Sequence, residues 1–87
     1  MKINHSPIGV IGAGAWGTAL SCLLLEKNRH VKLWAYEDQT AQNINQYREN
    51  KVFLPGVEIP EGIHAFSDIN QVAAGCETLV VASPVQK

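Results

Sequence analysis

Short apolar runs alternate along the chain with segments of helical spacing. Ile8–Ile11 is the first run; it ends on a glycine and predicts a buried parallel strand. Residues 18–27 predict a helix that ends near Asn28. Its predicted apolar face consists of Ala19, Leu20, Leu23 and Leu24. Residues 31–36 predict a second strand, which completes a βαβ unit of about 30 residues with a right-handed crossover.

A second helix and a long loop are predicted after this unit. Asp38 and Thr40 are alternative N-cap residues for the helix, which runs to about Arg48. Its inward-facing residues are predicted to be Ile44 and Tyr47. Residues 51–60 contain two prolines and a glycine, so they predict a turn-rich connection.

Two further strands complete the pattern. Ile63–Phe66 predicts a short third strand, and Asp68 caps a brief predicted helix that reaches Ala74. Residues 78–82 predict a fourth strand of the buried, β-branched kind, which ends before a Ser-Pro pair. The order β-α-β-α-β-α-β predicts an α/β fold, a parallel sheet with flanking helices and strand order 3-2-1-4.

Composition limits the classes of protein that the chain can represent. Eighty-seven residues form at most one small domain, and a net charge of −1 with scattered Lys and Arg predicts no nucleic-acid partner and no attraction to an anionic membrane. Residues 8–25 carry no charge, as in a signal peptide or membrane span, but four glycines interrupt them. A strand, a glycine turn and a buried helix explain the stretch better, and we expect a cytoplasmic protein.

Three glycines lie between the first strand and the first helix with the spacing G-x-G-x-x-G. Gly12 allows the chain to turn sharply out of the strand, and Gly14 lets a phosphate approach the backbone. Gly17 allows the helix to pack closely against the strand. Because the motif lies inside a βαβ unit, it predicts a partial Rossmann fold that binds the pyrophosphate of a nicotinamide dinucleotide at a helix N-terminus.

A carboxylate follows the second strand, 20 residues after the last of these glycines. Glu37 is placed to accept hydrogen bonds from the adenosine ribose and to repel a 2′-phosphate, which favours NAD over NADP. The alternative is a solvated loop glutamate. Arg29, Arg48 and Lys51 would meet a 2′-phosphate if the loops folded over the site.

The remaining chemically active side chains give weaker signals. Trp16, inside the glycine turn, either lines the cofactor cleft or packs in the core. The cysteines follow neither metal-binding nor C-x-x-C spacing, and the histidines form no triad or metal pattern. The sequence therefore predicts no metal site and assigns no catalytic residue. The cysteines and histidines in question are Cys22, Cys76, His5, His30 and His64.

Two segments resemble the NAD(P)-dependent glycerol-3-phosphate dehydrogenases of bacterial type. Residues 12–20 are similar to that family's opening motif, G-A-G-S-W-G-T-A-L, and residues 48–56 are similar to its loop R-E-N-x-x-Y-L-P-G. Residues 31–34 look like its second strand, and the resemblance extends over the whole chain. It implies reduction of dihydroxyacetone phosphate to sn-glycerol 3-phosphate in glycerophospholipid synthesis, and it is compatible with a homodimer. The cofactor contacts that it implies are Ala15, Trp16, Tyr36, Glu37, Phe53 and Pro84.

The chain departs from the family pattern at three of these positions. Ala15 replaces the usual Ser and removes a hydroxyl that could bind phosphate. Phe53 replaces a frequent Tyr, so a ring contact is kept and a hydroxyl contact is lost. Glu37 stands where many bacterial members carry a basic residue, which favours NAD over NADP.

The resemblance also implies a catalytic lysine that residues 1–87 do not contain. In the family this lysine follows the present region, so we expect it beyond Lys87. Lys87 itself lies too close to Pro84 to be that residue, and it is expected to be a surface lysine. The sequence therefore provides cofactor contacts without an acid–base group for the substrate carbonyl.

A helical domain that binds the substrate phosphate follows the catalytic lysine in the family. We therefore expect residues 1–87 to be the N-terminal part of a dinucleotide-binding domain that binds the cofactor without completing the reaction. The alternatives are an NAD(H) sensor without catalysis, or another dehydrogenase such as a ketopantoate reductase or a hydroxyacyl dehydrogenase, although residues 50–56 argue against the latter two.

Overall fold

Strands and helices alternate throughout the part of the chain that the computed structural model describes, residues 7–27 and 30–82. Four parallel strands form one sheet in the order β3-β2-β1-β4, so the predicted α/β partial Rossmann architecture and its strand order are confirmed. The elements are β1 (Ile8–Ile11), α1 (Ala15–Leu25), β2 (Val31–Trp34), α2 (Asp38–Tyr47), β3 (Ile63–Phe66), α3 (Ile69–Ala73) and β4 (Thr78–Val81).

The register of the sheet brings the carboxyl ends of all four strands to one edge. Ile11 of β1 pairs with Trp34 of β2 and with Val81 of β4, and Trp34 pairs in turn with Phe66 of β3. Because the strands are parallel, the segments that follow them leave the sheet side by side. This edge is where open α/β sheets bind ligands.

The core consists of apolar residues from β1, β2 and β3 and from the segments that cover them. Burial of each large apolar side chain contributes roughly 1.5–3 kcal/mol relative to exposure. Side chains of this kind with essentially no exposed surface are Val10, Val31, Leu33, Ile44, Ile59, Ile63 and Val72. This core fixes the position of the helices relative to the carboxyl edge of the sheet.

Helix α1 begins earlier than predicted and buries a different face. It starts at Ala15, and its fully buried residues are Gly17, Thr18 and Ser21. Leu23, predicted to face inward, has an exposed fraction of 56%. The predicted apolar face is therefore wrong at this position, because the buried side of the helix runs through Gly17, Thr18 and Ser21 and Leu23 lies off it. Leu20 and Leu24 are only partly buried at the margin of the core.

Helix α2 differs from prediction in its N-cap residue and in the exposure of Tyr47. Its N-cap is Glu37, so neither Asp38 nor Thr40 occupies that position. Ile44 is buried as predicted, whereas Tyr47 has an exposed fraction of 60%. The buried face runs through Thr40, Ala41 and Ile44, and Arg48 follows four residues later on the same side.

The last two elements agree with prediction in position, but β4 differs in burial. Asp68 caps α3, since its carboxylate accepts a hydrogen bond from the Asn70 N–H at 3.0 Å. Strand β4 was predicted to be buried, yet Val81 has an exposed fraction of 74% and Leu79 is also exposed. Among the described residues β4 is an edge strand that pairs with β1 alone, which explains this exposure.

Arg48 connects the end of α2 to the start of β3 through hydrogen bonds. Its backbone adopts a left-handed conformation (φ 56°), which ends the helix. The guanidinium Nε donates to the Ile59 carbonyl at 3.1 Å, and Nη2 donates to the Ile63 carbonyl at 2.6 Å and to the Pro60 carbonyl. One side chain thus satisfies two carbonyls of the loop and the first carbonyl of β3, and charge-assisted hydrogen bonds of this kind are the stronger ones.

We predict that Arg48→Ala lowers the free energy of unfolding by about 2–3 kcal/mol, because the loop carbonyls lose their donors. Lys51→Ala is the matched control, since it removes a nearby cation whose ammonium lies over the Tyr47 ring, 4.6 Å from its centroid. The control should cost less than about 1 kcal/mol. Urea unfolding of both variants checks this, and equal losses would contradict the assigned role of Arg48.

Candidate functional site

The turn between β1 and α1 depends on two glycines that touch each other. Gly12 has φ 120°, a conformation that side chains rarely permit. A Cβ on Gly17 would overlap the carbonyl oxygen of Gly12 and lie 2.9 Å from its carbonyl carbon. The first glycine therefore makes the turn, and the last allows the helix to lie directly against it.

The N-terminus of α1 faces an open space beside this turn. Gly14 is the N-cap residue; no side chain caps the helix, and its first turn contains no acidic residue. A Cβ on Gly14 would meet nothing within 4 Å. Unsatisfied N–H groups and the helix dipole favour an anion at such a position, so the turn fits a dinucleotide pyrophosphate.

A cleft of about 430 Å³ lies in front of the turn, within the range of small-molecule sites. Three segments enclose it: the glycine turn, the chain that follows β2, and the loop after α2. Seven of the nine residues that the sequence predicted for cofactor binding line it: Gly12, Gly14, Ala15, Trp16, Tyr36, Glu37 and Phe53.

Of the other two predicted residues, one is described and does not line the cleft, and one lies outside the described residues. Gly17 is buried behind the turn and acts there by allowing close packing, as the motif predicts. Pro84 lies outside the described residues, so its contact with the cofactor stays a prediction. Trp16 lines the cleft with an exposed fraction of 61%, so the alternative that it packs in the core is wrong.

The C-terminal lysine and the first histidine also lie outside the described residues. The surface position expected for Lys87 therefore stays a prediction, and so does a catalytic lysine beyond it. The same holds for His5, for which the sequence indicates no catalytic or metal-binding role.

Four residues of the cleft wall were not predicted: Ala13, Trp34, Ala35 and Thr40. Trp34 is the most informative, because its indole N–H donates to the Ser67 carbonyl at 3.0 Å and its ring meets Tyr36 edge-on at 6.1 Å. Its position as the last residue of β2 was the available signal, since ligands bind beyond the carboxyl ends of parallel strands.

Glu37 lies at the rim of the cleft as the N-cap of α2. Its carboxylate makes no capping hydrogen bond to the helix. Two of the cations that could have met a 2′-phosphate are engaged elsewhere: Arg48 binds loop carbonyls, and the Lys51 ammonium lies over the Tyr47 ring. Neither lines the cleft, and Arg29 lies outside the described residues.

Other reactive groups lie away from the cleft. Burial raises the pKa of the Cys22 thiol, so it stays protonated beside the core and is a poor nucleophile. His30 and His64 are exposed and do not line the cleft. Within residues 7–27 and 30–82, no three His, Cys, Asp or Glu side chains are grouped to hold a metal. No helix in that part of the chain is long and apolar enough to cross a membrane.

Known proteins are similar to this chain in sequence and in fold. The chain is 46% identical over 84 residues to a glycerol-3-phosphate dehydrogenase (NAD(P)+) of Rhodospirillum rubrum, which covers 97% of this chain and 24% of the relative. It is 42% identical over 86 residues to the protein of that name from Parvibaculum lavamentivorans, which covers 99% of this chain and 26% of the relative. The chain thus spans about a quarter of the length of these relatives.

Solved structures agree with the sequence comparison. The glycerol-3-phosphate dehydrogenase of Coxiella burnetii matches with a TM-score of 0.79 and 33% identity, over 87% of this chain and 23% of that one. A glycerol-3-phosphate dehydrogenase of Saccharomyces cerevisiae matches with a TM-score of 0.83 over 91% of this chain and 26% of that one; at 23% identity it supports the fold alone.

A sequence model of one family matches nearly the whole chain. The family is described as the NAD-dependent glycerol-3-phosphate dehydrogenase N-terminus, and the match covers residues 7–87. That region includes the glycine turn, the cleft and all four strands. The chain therefore belongs to the NAD-dependent glycerol-3-phosphate dehydrogenase N-terminus family.

Proposed function

We propose that this chain is the dinucleotide-binding part of a glycerol-3-phosphate dehydrogenase, which reduces dihydroxyacetone phosphate to sn-glycerol 3-phosphate. The observation that carries the proposal is the uncapped N-terminus of α1, which opens into the cleft at Gly14. A helix N-terminus in this state offers N–H donors and a favourable dipole to an anion. Membership of the family gives that anion an identity, the pyrophosphate of NAD(H) or NADP(H).

The two ends of the cleft then hold different parts of the dinucleotide. The first-turn N–H groups of α1 bind the pyrophosphate, and Ala15 contributes its backbone without the hydroxyl that Ser supplies in the resembling family. Tyr36 and Glu37, beyond the end of β2, lie beside the adenosine ribose. Trp16 lines the cleft on the side of the glycine turn, and Phe53 lines it on the side of the loop after α2.

We propose NAD(H) as the preferred cofactor. Glu37 has a carboxylate that makes no capping hydrogen bond, so it is available to accept from ribose hydroxyls. The same charge repels a 2′-phosphate. Arg48 is unavailable as a counter-charge because its guanidinium donates to four backbone carbonyls, those of Asn45, Ile59, Pro60 and Ile63.

Residues 1–87 bind and orient the cofactor in this proposal. The bound cofactor supplies the hydride for the C2 carbonyl carbon of dihydroxyacetone phosphate. A lysine and a helical substrate domain beyond residue 87, both implied by the resemblance, supply the proton and bind the substrate phosphate. Positioning by the two parts provides much of the rate. We expect the assembled enzyme to be cytoplasmic.

The full-length protein that carries this chain should oxidise NADH when dihydroxyacetone phosphate is added, because the cofactor and the substrate phosphate are then bound together. The decrease in absorbance of NADH measures the reaction, and ketopantoate serves as the control substrate. NADH binding without turnover would instead indicate the sensor function. Turnover of ketopantoate alone would indicate a different dehydrogenase.

Glu37→Arg should shift the ratio of kcat/KM for NADH over that for NADPH toward NADPH by at least about tenfold, since a guanidinium would pair with the 2′-phosphate. Glu61→Arg makes the same charge change at an exposed loop residue outside the cleft, and it should leave the ratio unchanged. A wild-type protein that already prefers NADPH, or an equal shift in both variants, would contradict the role of Glu37.

A further inference from the structure

A buried asparagine connects the two walls of the cleft. Asn50 has no exposed surface and is not itself part of the cleft wall. Its Nδ2 donates to the Ala13 carbonyl at 2.7 Å and to the Thr18 hydroxyl at 2.8 Å. Its Oδ1 accepts from the Phe53 N–H at 3.2 Å. One amide therefore binds the glycine turn, the first helix and the loop at the same time.

The bond to Ala13 fixes the orientation of the peptide group that precedes Gly14. None of the described peptide bonds is cis. In a trans peptide, the carbonyl and the N–H point in opposite directions. With the Ala13 carbonyl held toward the buried Asn50, the Gly14 N–H points the opposite way, away from Asn50. Gly14 lines the cleft, whereas Asn50 does not.

The bond to Phe53 fixes the opposite wall. The Leu54 N–H donates to the Asn50 carbonyl at 2.9 Å, and these two residues form an antiparallel bridge. The side chain of Asn50 adds its own acceptor inside the same tight turn. Phe53 is thereby held at the cleft, although its ring is half-exposed.

The set of partners requires an amide. Ala13 offers only an acceptor, whereas Phe53 offers only a donor through its N–H. Aspartate would keep the acceptor for Phe53 but lose both donor bonds, and leucine of similar size would lose all three. Asn45 provides a comparison, because its amide also bridges main-chain groups, donating to the Ala65 carbonyl and accepting from the Ala65 N–H at 2.8 Å each. Asn45 does not line the cleft.

We propose that Asn50 is a positioning residue for the bound dinucleotide, because it orients the Gly14 N–H toward the pyrophosphate and holds Phe53 at the opposite wall. The inference rests on the proposed function, since it requires the cleft to bind a dinucleotide. It extends that function to a residue that touches neither cofactor nor substrate.

The experiment compares Asn50→Leu, Asn50→Asp and the matched control Asn45→Leu in the full-length protein that carries this chain. Calorimetry measures the dissociation constants for NADH and for ADP. ADP carries the adenosine and the two linked phosphates but lacks the nicotinamide half. Both Asn50 variants should raise both constants by about tenfold or more, as expected when an oriented donor is lost. Asn45→Leu should change both dissociation constants by less than about twofold, even if it lowers the unfolding temperature as much as the Asn50 variants do.

Steady-state kinetics provides a readout that a purely structural role would not move. The Asn50 variants should raise KM for NADH, while KM for dihydroxyacetone phosphate and kcat change by less than about threefold. Thr18→Val is a milder substitution, which removes one partner of the Asn50 amide and keeps the side-chain volume. It should raise the dissociation constant for NADH by about threefold, and it tests the idea if the Asn50 variants fail to fold.

The outcomes separate this inference from the proposed function. A wild-type protein that binds neither NADH nor ADP contradicts the proposed function, and the inference with it. Wild-type binding together with unchanged NADH affinity in folded Asn50 variants, or in Thr18→Val where those do not fold, overturns the role of Asn50 and leaves the proposed function standing. Equal losses of affinity in Asn45→Leu and the Asn50 variants would also overturn it.

Discussion

The close approach of Gly17 to the carbonyl of Gly12 determines where the first helix lies relative to the sheet. A side chain at position 17 would overlap the backbone of the turn, so the contact exists only because both residues are glycine. The approach places the N-terminus of α1 beside the edge where the four strands end. The helix dipole and the carboxyl edge of the sheet therefore border the same cleft, and the proposed anion site depends on that coincidence.

The same close contact explains the composition of α1. The residues of α1 that are buried, Gly17, Thr18 and Ser21, are all small, and the Ser21 hydroxyl donates to the Gly17 carbonyl at 2.8 Å. Thr18 is also buried, and its hydroxyl accepts from Asn50. The polar residues on the buried side of the helix are thus satisfied, as buried polar groups must be. Through Asn50, this packing reaches the loop that carries Phe53.

Local patterns were sufficient for the strands, their order, the glycine turn and Glu37, whereas Ala15, Tyr36 and Phe53 were implied only by the resemblance to a known family. The four strands read directly as apolar runs, and G-x-G-x-x-G inside a βαβ unit identified the turn. Leu23, Tyr47 and β4 were misjudged because their exposure depends on which neighbours cover them, and helical spacing does not contain that information. Trp34 and Asn50 were missed for a similar reason: Trp34 reaches the cleft through strand register, and Asn50 meets Ala13 across 37 positions of sequence.

The affinity of Gly14→Ala for NADH tests the central claim most directly. A Cβ at this N-cap position meets no protein atom, so the unfolding temperature should barely change, with a cost below about 1 kcal/mol. The methyl group would nevertheless occupy the space through which the pyrophosphate reaches the backbone. We predict a dissociation constant for NADH raised by about tenfold or more at unchanged stability. An unchanged dissociation constant in the folded variant would contradict binding at this turn.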